Sequence, residues 1–104
     1  MVNLKDKKTE NLYKAILALN SLNEARRFFR DLLTEREIIE FGNRWQAAQM
    51  LDKGISYPNI QQATNLSTRT IARISKWLKK GKGGYRLMLS RLSHHNPLKA
   101  FKKG

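Results

Sequence analysis

The chain has 104 residues, no cysteine and a formal net charge of +13. This length fits one small domain, and the absence of cysteine excludes a disulfide framework and thiol chemistry. The charged N-terminus lacks the apolar core of a signal peptide, and no apolar run approaches the ~18 residues that cross a membrane. We therefore expect a soluble cytoplasmic protein with no membrane partner.

The charge is divided unevenly along the chain. Residues 1–52 contain all eight acidic residues and nine Lys or Arg, for a net charge of +1, whereas residues 53–104 contain twelve Lys or Arg and no acid. Such a field attracts a polyanion and supplies salt-sensitive affinity for phosphates. An anionic membrane is the competing target, but the basic half has no long helix with one unbroken apolar face.

The first predicted helices suggest a dimer. Apolar residues three and four apart predict a helix over residues 9–20, and the capping-box pattern of Ser21 and Glu24 opens a second helix. Two pairs of adjacent apolar residues make the stripe of the second helix wider than one neighbouring helix covers. We therefore assign residues 9–55 to dimerisation helices that interlock between two chains, with a compact monomer as the alternative.

Two further helices are predicted in this segment. Thr34 and Glu37 form a second capping-box pattern, which opens a short third helix that Gly42 should end. A fourth helix is predicted over residues 43–53, and Gly54 is expected to end it.

Residues 56–78 are predicted to form a helix-turn-helix. Ser56 and Ser67 are expected to cap its two helices, and Asn65 to take the left-handed conformation of the sharp turn between them. The inward-facing residues are predicted to be Ile60, Ala63, Thr64, Leu66, Ile71, Ile74 and Leu78. The outward face of the second helix carries hydroxyl and guanidinium groups and no acid, which suits the major groove of DNA. An ordinary helical hairpin with solvated faces is the alternative.

The chain after the helix-turn-helix is predicted to be less regular. Three glycines within residues 81–84 should break the helix and give a flexible cationic connection. Apolar spacing predicts a C-terminal helix over residues 85–92, and residues 93–104 are expected to form a basic, poorly ordered tail. The sequence has no strand pattern and no internal repeat, so the predicted fold is all-α.

Spaced residues across the middle of the chain resemble those of a known family. They are Leu33-Thr34-x-x-Glu37-x-x-x-x-Gly42-x-Arg44, Leu51-x-x-Gly54-x-Ser56, Ile60, and Thr70-Ile71-x-Arg73-x-Ser75-x-x-Leu78. The sequence is similar to the tryptophan-repressor superfamily over residues 12–92, and most similar to its short YerC/YecD-type branch. The resemblance implies a single domain, residues 1–104, in which short helices and a helix-turn-helix form an intertwined dimer. Each recognition helix would then lie in the major groove of successive half-sites.

Double-stranded DNA is therefore the expected partner. Arg69 and Thr70 are predicted to contact base edges, while Ser67 and Thr68 hold phosphate at the helix N-terminus. Arg73 lies on the same helix, where it contacts DNA or pairs with a carboxylate of the third helix. Further contacts to the DNA backbone are assigned to Tyr57, Asn59, Gln62 and Lys76.

The resemblance also locates a small-molecule pocket. In tryptophan-responsive members two arginines sandwich the indole, and Arg44 and Arg73 match them. The small residue after the second arginine is Ile74 here, and Trp77 replaces the serine that helps hold the amino group. Since overfilling a packed site is costly, we predict a closed pocket, with Trp77 as a built-in plug, and no need for a corepressor. Arg44 has two other interpretations, a phosphate contact or an ion pair with Glu37.

No catalytic or metal site is predicted. The histidine pair His94-His95 lacks a third donor, and the sequence has no Ser-His-Asp pattern, no paired carboxylates and no phosphate-binding glycine loop before a helix. We therefore expect a non-enzymatic transcriptional regulator without a cofactor, a repressor that binds palindromic operators as a homodimer. The alternative is a basic helical module that binds structured RNA or non-specific nucleic acid.

Overall fold

Six α-helices form the part of the chain that the computed structural model describes, residues 4–95, with side chains described for residues 4–93. The helices are α1 (Lys7–Leu17), α2 (Leu22–Leu32), α3 (Glu35–Asp52), α4 (Tyr57–Thr64), α5 (Thr68–Lys80) and α6 (Gly84–His95). Residues 4–95 contain no strand, so the predicted all-α class is confirmed. In the same range, no helix is both long and apolar enough to span a membrane.

The described chain divides into two compact units after residue 38. The first unit contains α1, α2 and the first turn of α3, and the second contains the rest of α3 with α4, α5 and α6. Every buried apolar side chain among the described residues belongs to the second unit. The helix-turn-helix is therefore part of the unit that has the core.

A side-chain cap sets the start of α1. Asp6 Oδ1 accepts a hydrogen bond from Thr9 N at 2.9 Å. This bond holds the pKa of the Asp6 carboxyl below its ordinary value, because the charged form is the better acceptor. α1 therefore begins at Lys7, two residues before the predicted helix 9–20, whose N-terminal boundary is wrong.

The capping box of α2 limits how far α1 extends. Ser21 Oγ accepts from Glu24 N at 3.1 Å, and Glu24 Oε1 accepts from Asn20 N at 2.8 Å. Ser21 has the extended backbone of an N-cap, so the chain must leave helical geometry before it. α1 accordingly ends at Leu17 instead of residue 20. The predicted capping box itself is confirmed.

α3 is one continuous helix of 18 residues, so the predicted break at Gly42 is wrong. Its start is as predicted, since Glu37 N donates to Thr34 Oγ1 at 3.1 Å and Thr34 N donates to Glu37 Oε1 at 2.9 Å. A helix stop at Gly42 would need a positive φ, which Gly42 does not have. Glu40 and Arg44 lie one helical turn apart, on either side of Gly42, and form an ion pair with 2.6 Å between Arg44 NH2 and Glu40 Oε2. The pair partly offsets the ~1 kcal/mol cost of glycine inside a helix.

α3 ends at the second predicted glycine. Gly54 has a φ of +77°, in the left-handed region. Gly54 N donates to Leu51 O at 3.0 Å, and Ile55 N donates to Met50 O at 3.0 Å. These two bonds form a Schellman motif, which satisfies carbonyls that the end of the helix leaves free.

The core of the second unit joins α3 to the helix-turn-helix. Its buried residues are Ala47 and Ala48 of α3, Ile60 of α4, Leu66 of the turn, and Ile71 and Ile74 of α5. The two alanines have small side chains, so the isoleucines of α4 and α5 can pack close to α3. Ala63 is exposed, and its predicted inward position is wrong, because Ile60 and Thr64, one turn apart, fill the inward side of α4.

Arg86 anchors α6 to the rest of the second unit. Its Nε donates to Leu78 O at 3.2 Å, and its NH1 lies 3.0 Å from Asp52 Oδ1. α6 begins at Gly84 and continues to His95, so it is longer than the predicted helix 85–92. Residues 93–95 of the predicted tail 93–104 are helical, and the rest of that tail lies outside the described residues.

Candidate nucleic-acid interface

The turn between α4 and α5 has the geometry of a helix-turn-helix. Asn65 takes the left-handed conformation, with φ +61° and ψ +13°, and its N–H donates to Gln61 O at 2.8 Å. Among non-glycine residues, asparagine and aspartate adopt this conformation most readily. The predicted role of Asn65 is confirmed. Only three residues, 65–67, separate the end of α4 from the start of α5.

Thr64 and Leu66 hold the inside of this turn. Thr64 Oγ1 donates to Ile60 O at 2.8 Å and accepts from Leu66 N at 3.3 Å. Both residues are buried, and the hydroxyl satisfies backbone groups that the turn would otherwise leave unpaired. The orientation of α5 relative to α4 is therefore determined by packing and hydrogen bonds together.

The polar residues at the N-terminus of α5 fall into two groups. Ser67 Oγ accepts from Thr70 N at 3.1 Å and donates to Thr70 Oγ1 at 3.0 Å, so these two residues form the cap. Thr68 and Arg69 are exposed in the first turn. The structure thus places Arg69 and Thr68 in contact with solvent, while the hydroxyl of the half-buried Thr70 already accepts a hydrogen bond within the protein.

Arg73 is exposed one turn further along α5. Its guanidinium carbon lies 6.0 Å from the centroid of the Trp77 ring, which is the spacing of a cation–π contact. Within the described part of the chain, no salt bridge joins Arg73 to a carboxylate of α3. Arg73 is therefore oriented by Trp77, with its charge still available to a ligand.

The residues predicted to contact the DNA backbone lie in three environments. Asn59 and Gln62 are exposed on α4, and Asn59 N is the donor to the Ser56 cap at 3.4 Å. Tyr57 is half-buried and packs against the core. Lys76 is exposed on the C-terminal half of α5. Of these four residues, Asn59, Gln62 and Lys76 are exposed.

The four residues assigned to a tryptophan pocket lie in different environments in the described chain. Ile74 is fully buried in the core, whereas Trp77 is 45% exposed. Arg44 pairs with Glu40, one turn before it, and not with Glu37 as one interpretation held. Arg44 Nε is buried and has no hydrogen-bond partner among the described residues. Trp77 is therefore partly exposed in the described chain, and its role as a plug stays a prediction.

An open cleft of about 780 Å³ lies beside the end of α5. It is lined by Trp45, Lys76, Trp77, Lys80, Gly81, Lys82, Gly84, Tyr85 and Met88. The rings of Trp45 and Tyr85 are stacked, with centroids 6.3 Å apart and an interplanar angle of 19°. Burial raises the pKa of the Tyr85 phenol above its ordinary value, against the opposing charge of Arg44.

Sequence reasoning assigned only Lys76 and Trp77 of these lining residues to a site. No site role is predicted for Trp45 from the sequence, and Tyr85 is placed only within the predicted helix 85–92. Only Trp77 carries a signal that could have identified the cleft, because Lys76 precedes it and Lys79, Lys80 and Gly81 follow it, whereas Trp45 lies between Arg44 and Gln46. The residues that line the cleft have no fixed spacing in the sequence, because the cleft forms from three separate segments.

Comparison with known proteins identifies the family. Residues 7–93 match the family model of the Trp repressor protein. The chain belongs to the Trp repressor family. The chain is also similar to the uncharacterized protein YerC of Bacillus subtilis (strain 168), with 38% identity over 89 residues that cover 86% of each chain.

Two solved structures of Trp repressor family members have the same fold as this chain. A TrpR-like protein from Eubacterium eligens ATCC 27750 superposes with a TM-score of 0.82 at 39% identity and covers 86% of this chain and 92% of its own. A proposed Trp repressor from Staphylococcus aureus gives a TM-score of 0.80 at 36% identity, with 86% and 89% covered. The expected resemblance to this family and its all-α fold is confirmed.

Proposed function

We propose that this Trp repressor family member is a sequence-specific DNA-binding transcriptional repressor. It acts as a homodimer on palindromic operators, with α5 in the major groove. The observation that carries the proposal is the exposed, acid-free face of α5 on a rigid helix-turn-helix. Bound at an operator, the dimer excludes polymerase or another factor from the same DNA.

The DNA contacts follow from exposure and hydrogen bonding. Arg69 is exposed in the first turn of α5, and its guanidinium fork matches the two major-groove acceptors of guanine. Thr68 lies beside it at the helix N-terminus, where free N–H groups favour a phosphate. Because Thr70 takes part in the Ser67 cap, we assign it to holding the helix start and to a secondary DNA contact.

The surrounding charge supports binding to a polyanion. Residues 53–104 contain twelve Lys or Arg and no acid, so the whole segment that follows α3 is cationic. This field supplies affinity that does not depend on sequence and weakens with salt, while the α5 side chains supply discrimination. Both contributions are needed, since a regulator must find one site among many competing ones.

The first two helices support a dimer. α1 and α2, which are wholly described, contain no buried residue, although both carry large apolar side chains. The exposed members are Tyr13, Leu17, Leu22 and Leu32. Apolar surface of this extent on a soluble protein marks an interface, and a second copy with interlocking N-terminal helices would bury it. The twofold symmetry of such a dimer matches a palindromic operator.

DNA binding is proposed to be independent of tryptophan. Ile74 follows Arg73 and fills core volume with no exposed surface, so no indole can occupy that position without displacing the core. Isothermal titration calorimetry of the protein with L-tryptophan should show no specific binding at micromolar concentration. Operator affinity should be the same with and without added tryptophan, and a tenfold increase would contradict this proposal.

Selection from a random duplex library tests the function. Bound fragments should be enriched in a palindrome whose half-sites lie about one helical turn apart. The affinity for that site should exceed the affinity for random duplex by about a thousandfold or more at fixed salt. If no sequence is enriched and a structured RNA competes as well as duplex DNA, the protein is a general basic nucleic-acid binder instead.

A further inference from the structure

Ala72 is the one residue without a polar side chain among the exposed residues in the first two turns of α5. The others are Thr68, Arg69 and Arg73, which carry a hydroxyl or a guanidinium group. Ala72 follows Arg69 by three positions and Thr68 by four, so these three residues share one face of the helix. The exposed face of α5 therefore has a short apolar position with larger polar side chains around it.

The core does not require alanine at this position. Ala72 is exposed, whereas Ile71 and Ile74 supply the side chains of α5 that belong to the core. An exposed helix position also accepts lysine, arginine or glutamine at small cost, so helix propensity alone does not call for alanine. The effect of the methyl side chain is that this part of α5 can lie closer to a facing surface than a long side chain would permit.

In the major groove, an apolar side chain has one matching group. Of the four bases, only thymine carries an apolar group on its major-groove edge, the 5-methyl group, and alanine is among the side chains that contact it. The alanine side chain can neither donate nor accept a hydrogen bond. Against the amino group of cytosine or adenine, it would leave that group without a partner, which is unfavourable.

We propose that Ala72 contacts the 5-methyl group of a thymine in each operator half-site. This inference rests on the proposed function, because it requires α5 to lie in the major groove. The guanine assigned to Arg69 pairs with cytosine, so the thymine belongs to another base pair. Three residues advance a helix by about 4.5 Å, which is close to the ~3.4 Å between base pairs. The thymine should therefore lie in the base pair next to that guanine.

Replacement of thymine by uracil tests the contact on the natural protein. A dU nucleotide lacks the 5-methyl group of dT and keeps every hydrogen-bonding group of the base edge. Each thymine of one half-site of the selected operator is replaced in turn, and the affinity is measured by fluorescence anisotropy at fixed salt. One replacement should weaken binding about fourfold, the factor expected when one methyl group is no longer buried.

The variant Ala72→Gly assigns the effect to one side chain. Glycine lacks the methyl group, so the fourfold preference for thymine over uracil should disappear in this variant. Ala63→Gly is the matched control, because Ala63 is an exposed alanine of α4 and its replacement has a similar cost in helix stability. This control should keep the preference. Each preference is a ratio measured on one protein, so a general loss of stability cancels.

Methylated cytosine gives an independent measurement. A C·G pair at the sensitive position should bind more weakly than the T·A pair. Addition of a 5-methyl group to that cytosine should then strengthen binding by about the same fourfold factor. Ala72→Gly should not distinguish cytosine from 5-methylcytosine.

Three outcomes would overturn the inference. A selected half-site without thymine, or one in which no replacement by uracil weakens binding, would show that the protein contacts no methyl group. Retention of the thymine preference by Ala72→Gly would show that another side chain makes the contact. Failure of the library to yield any enriched site would refute the proposed function as well, so the two failures can be told apart.

Discussion

Replacement of Arg69 by alanine should reduce sequence discrimination without changing the stability of the fold. Arg69 is exposed in the first turn of α5, and no described residue forms a hydrogen bond or ion pair with its side chain. Truncation therefore removes no intramolecular contact, and we expect the free energy of unfolding to change by less than about 0.5 kcal/mol. Urea denaturation of both proteins measures this change.

The effect on DNA binding should be large and sequence-dependent. One bidentate contact between an arginine and a guanine contributes about 1–3 kcal/mol of discrimination, which corresponds to about fivefold to 150-fold in affinity. Arg69→Ala should weaken binding to the selected operator by that factor. Binding to random duplex should weaken by less than about threefold, because only one charge of the cationic field is lost.

The assay compares two labelled duplexes by fluorescence anisotropy at one salt concentration. One duplex carries the selected operator, and the other has the same composition in scrambled order. Lys79→Ala is the control, since it removes one exposed positive charge from the last turn of α5 and should affect both duplexes equally. If Arg69→Ala also weakens both duplexes by the same factor, Arg69 contacts only phosphate and its assignment to a base edge is refuted.

Three further predictions concern the fold that positions α5. Ile71→Ala should lower the free energy of unfolding by about 2–5 kcal/mol in urea denaturation, because Ile71 is fully buried; a loss below about 1 kcal/mol would contradict its place in the core. Asn65→Ala should cost about 1 kcal/mol in the same assay and Asn65→Gly should cost nothing, since only the left-handed φ distinguishes the two variants; equal losses would show that the asparagine side chain matters instead. The Asp6 cap should stabilise α1 above the unfolded-state pKa of 3.8 and be lost as the pH falls through the lower folded-state pKa. Amide exchange at Thr9, followed by NMR from about pH 5 to about pH 2, measures this loss, and Asp6→Asn should abolish the pH dependence.

Local hydrogen bonds account for most of what could be predicted from the sequence. The capping boxes at Ser21 and Thr34, the cap at Ser67 and the turn at Asn65 depend on residues within four positions of one another. These local hydrogen bonds can be predicted from the sequence alone. The helix-turn-helix was predictable for the same reason.

The two glycines of α3 show where such reasoning fails. Gly42 and Gly54 look alike in the sequence, but only Gly54 has a positive φ and ends the helix. At Gly42 the helix continues, spanned by the ion pair of Glu40 and Arg44. A glycine permits a helix stop without requiring one, and the buried residues Ala47 and Ala48 follow Gly42 in the same continuous helix.

The cleft could not be predicted because it depends on long-range packing. Trp45 and Tyr85 are 40 positions apart, and their rings stack where Arg86 joins α6 to α3 and α5. A tryptophan and a tyrosine in amphipathic helices are ordinary core residues by pattern. Their shared exposure to one cleft follows from the bend at the glycine connection, where Gly83 has a φ of +87°.

The two faces of α5 carry separate sets of side chains. Ile71, Ile74, Ser75 and Leu78 are buried, whereas Thr68, Arg69, Ala72 and Arg73 are exposed. Substitutions in the exposed set cost little stability, because none of these side chains belongs to the core. Under the proposed function, the same scaffold can therefore acquire a new DNA target through a few surface changes, while its fold stays the same.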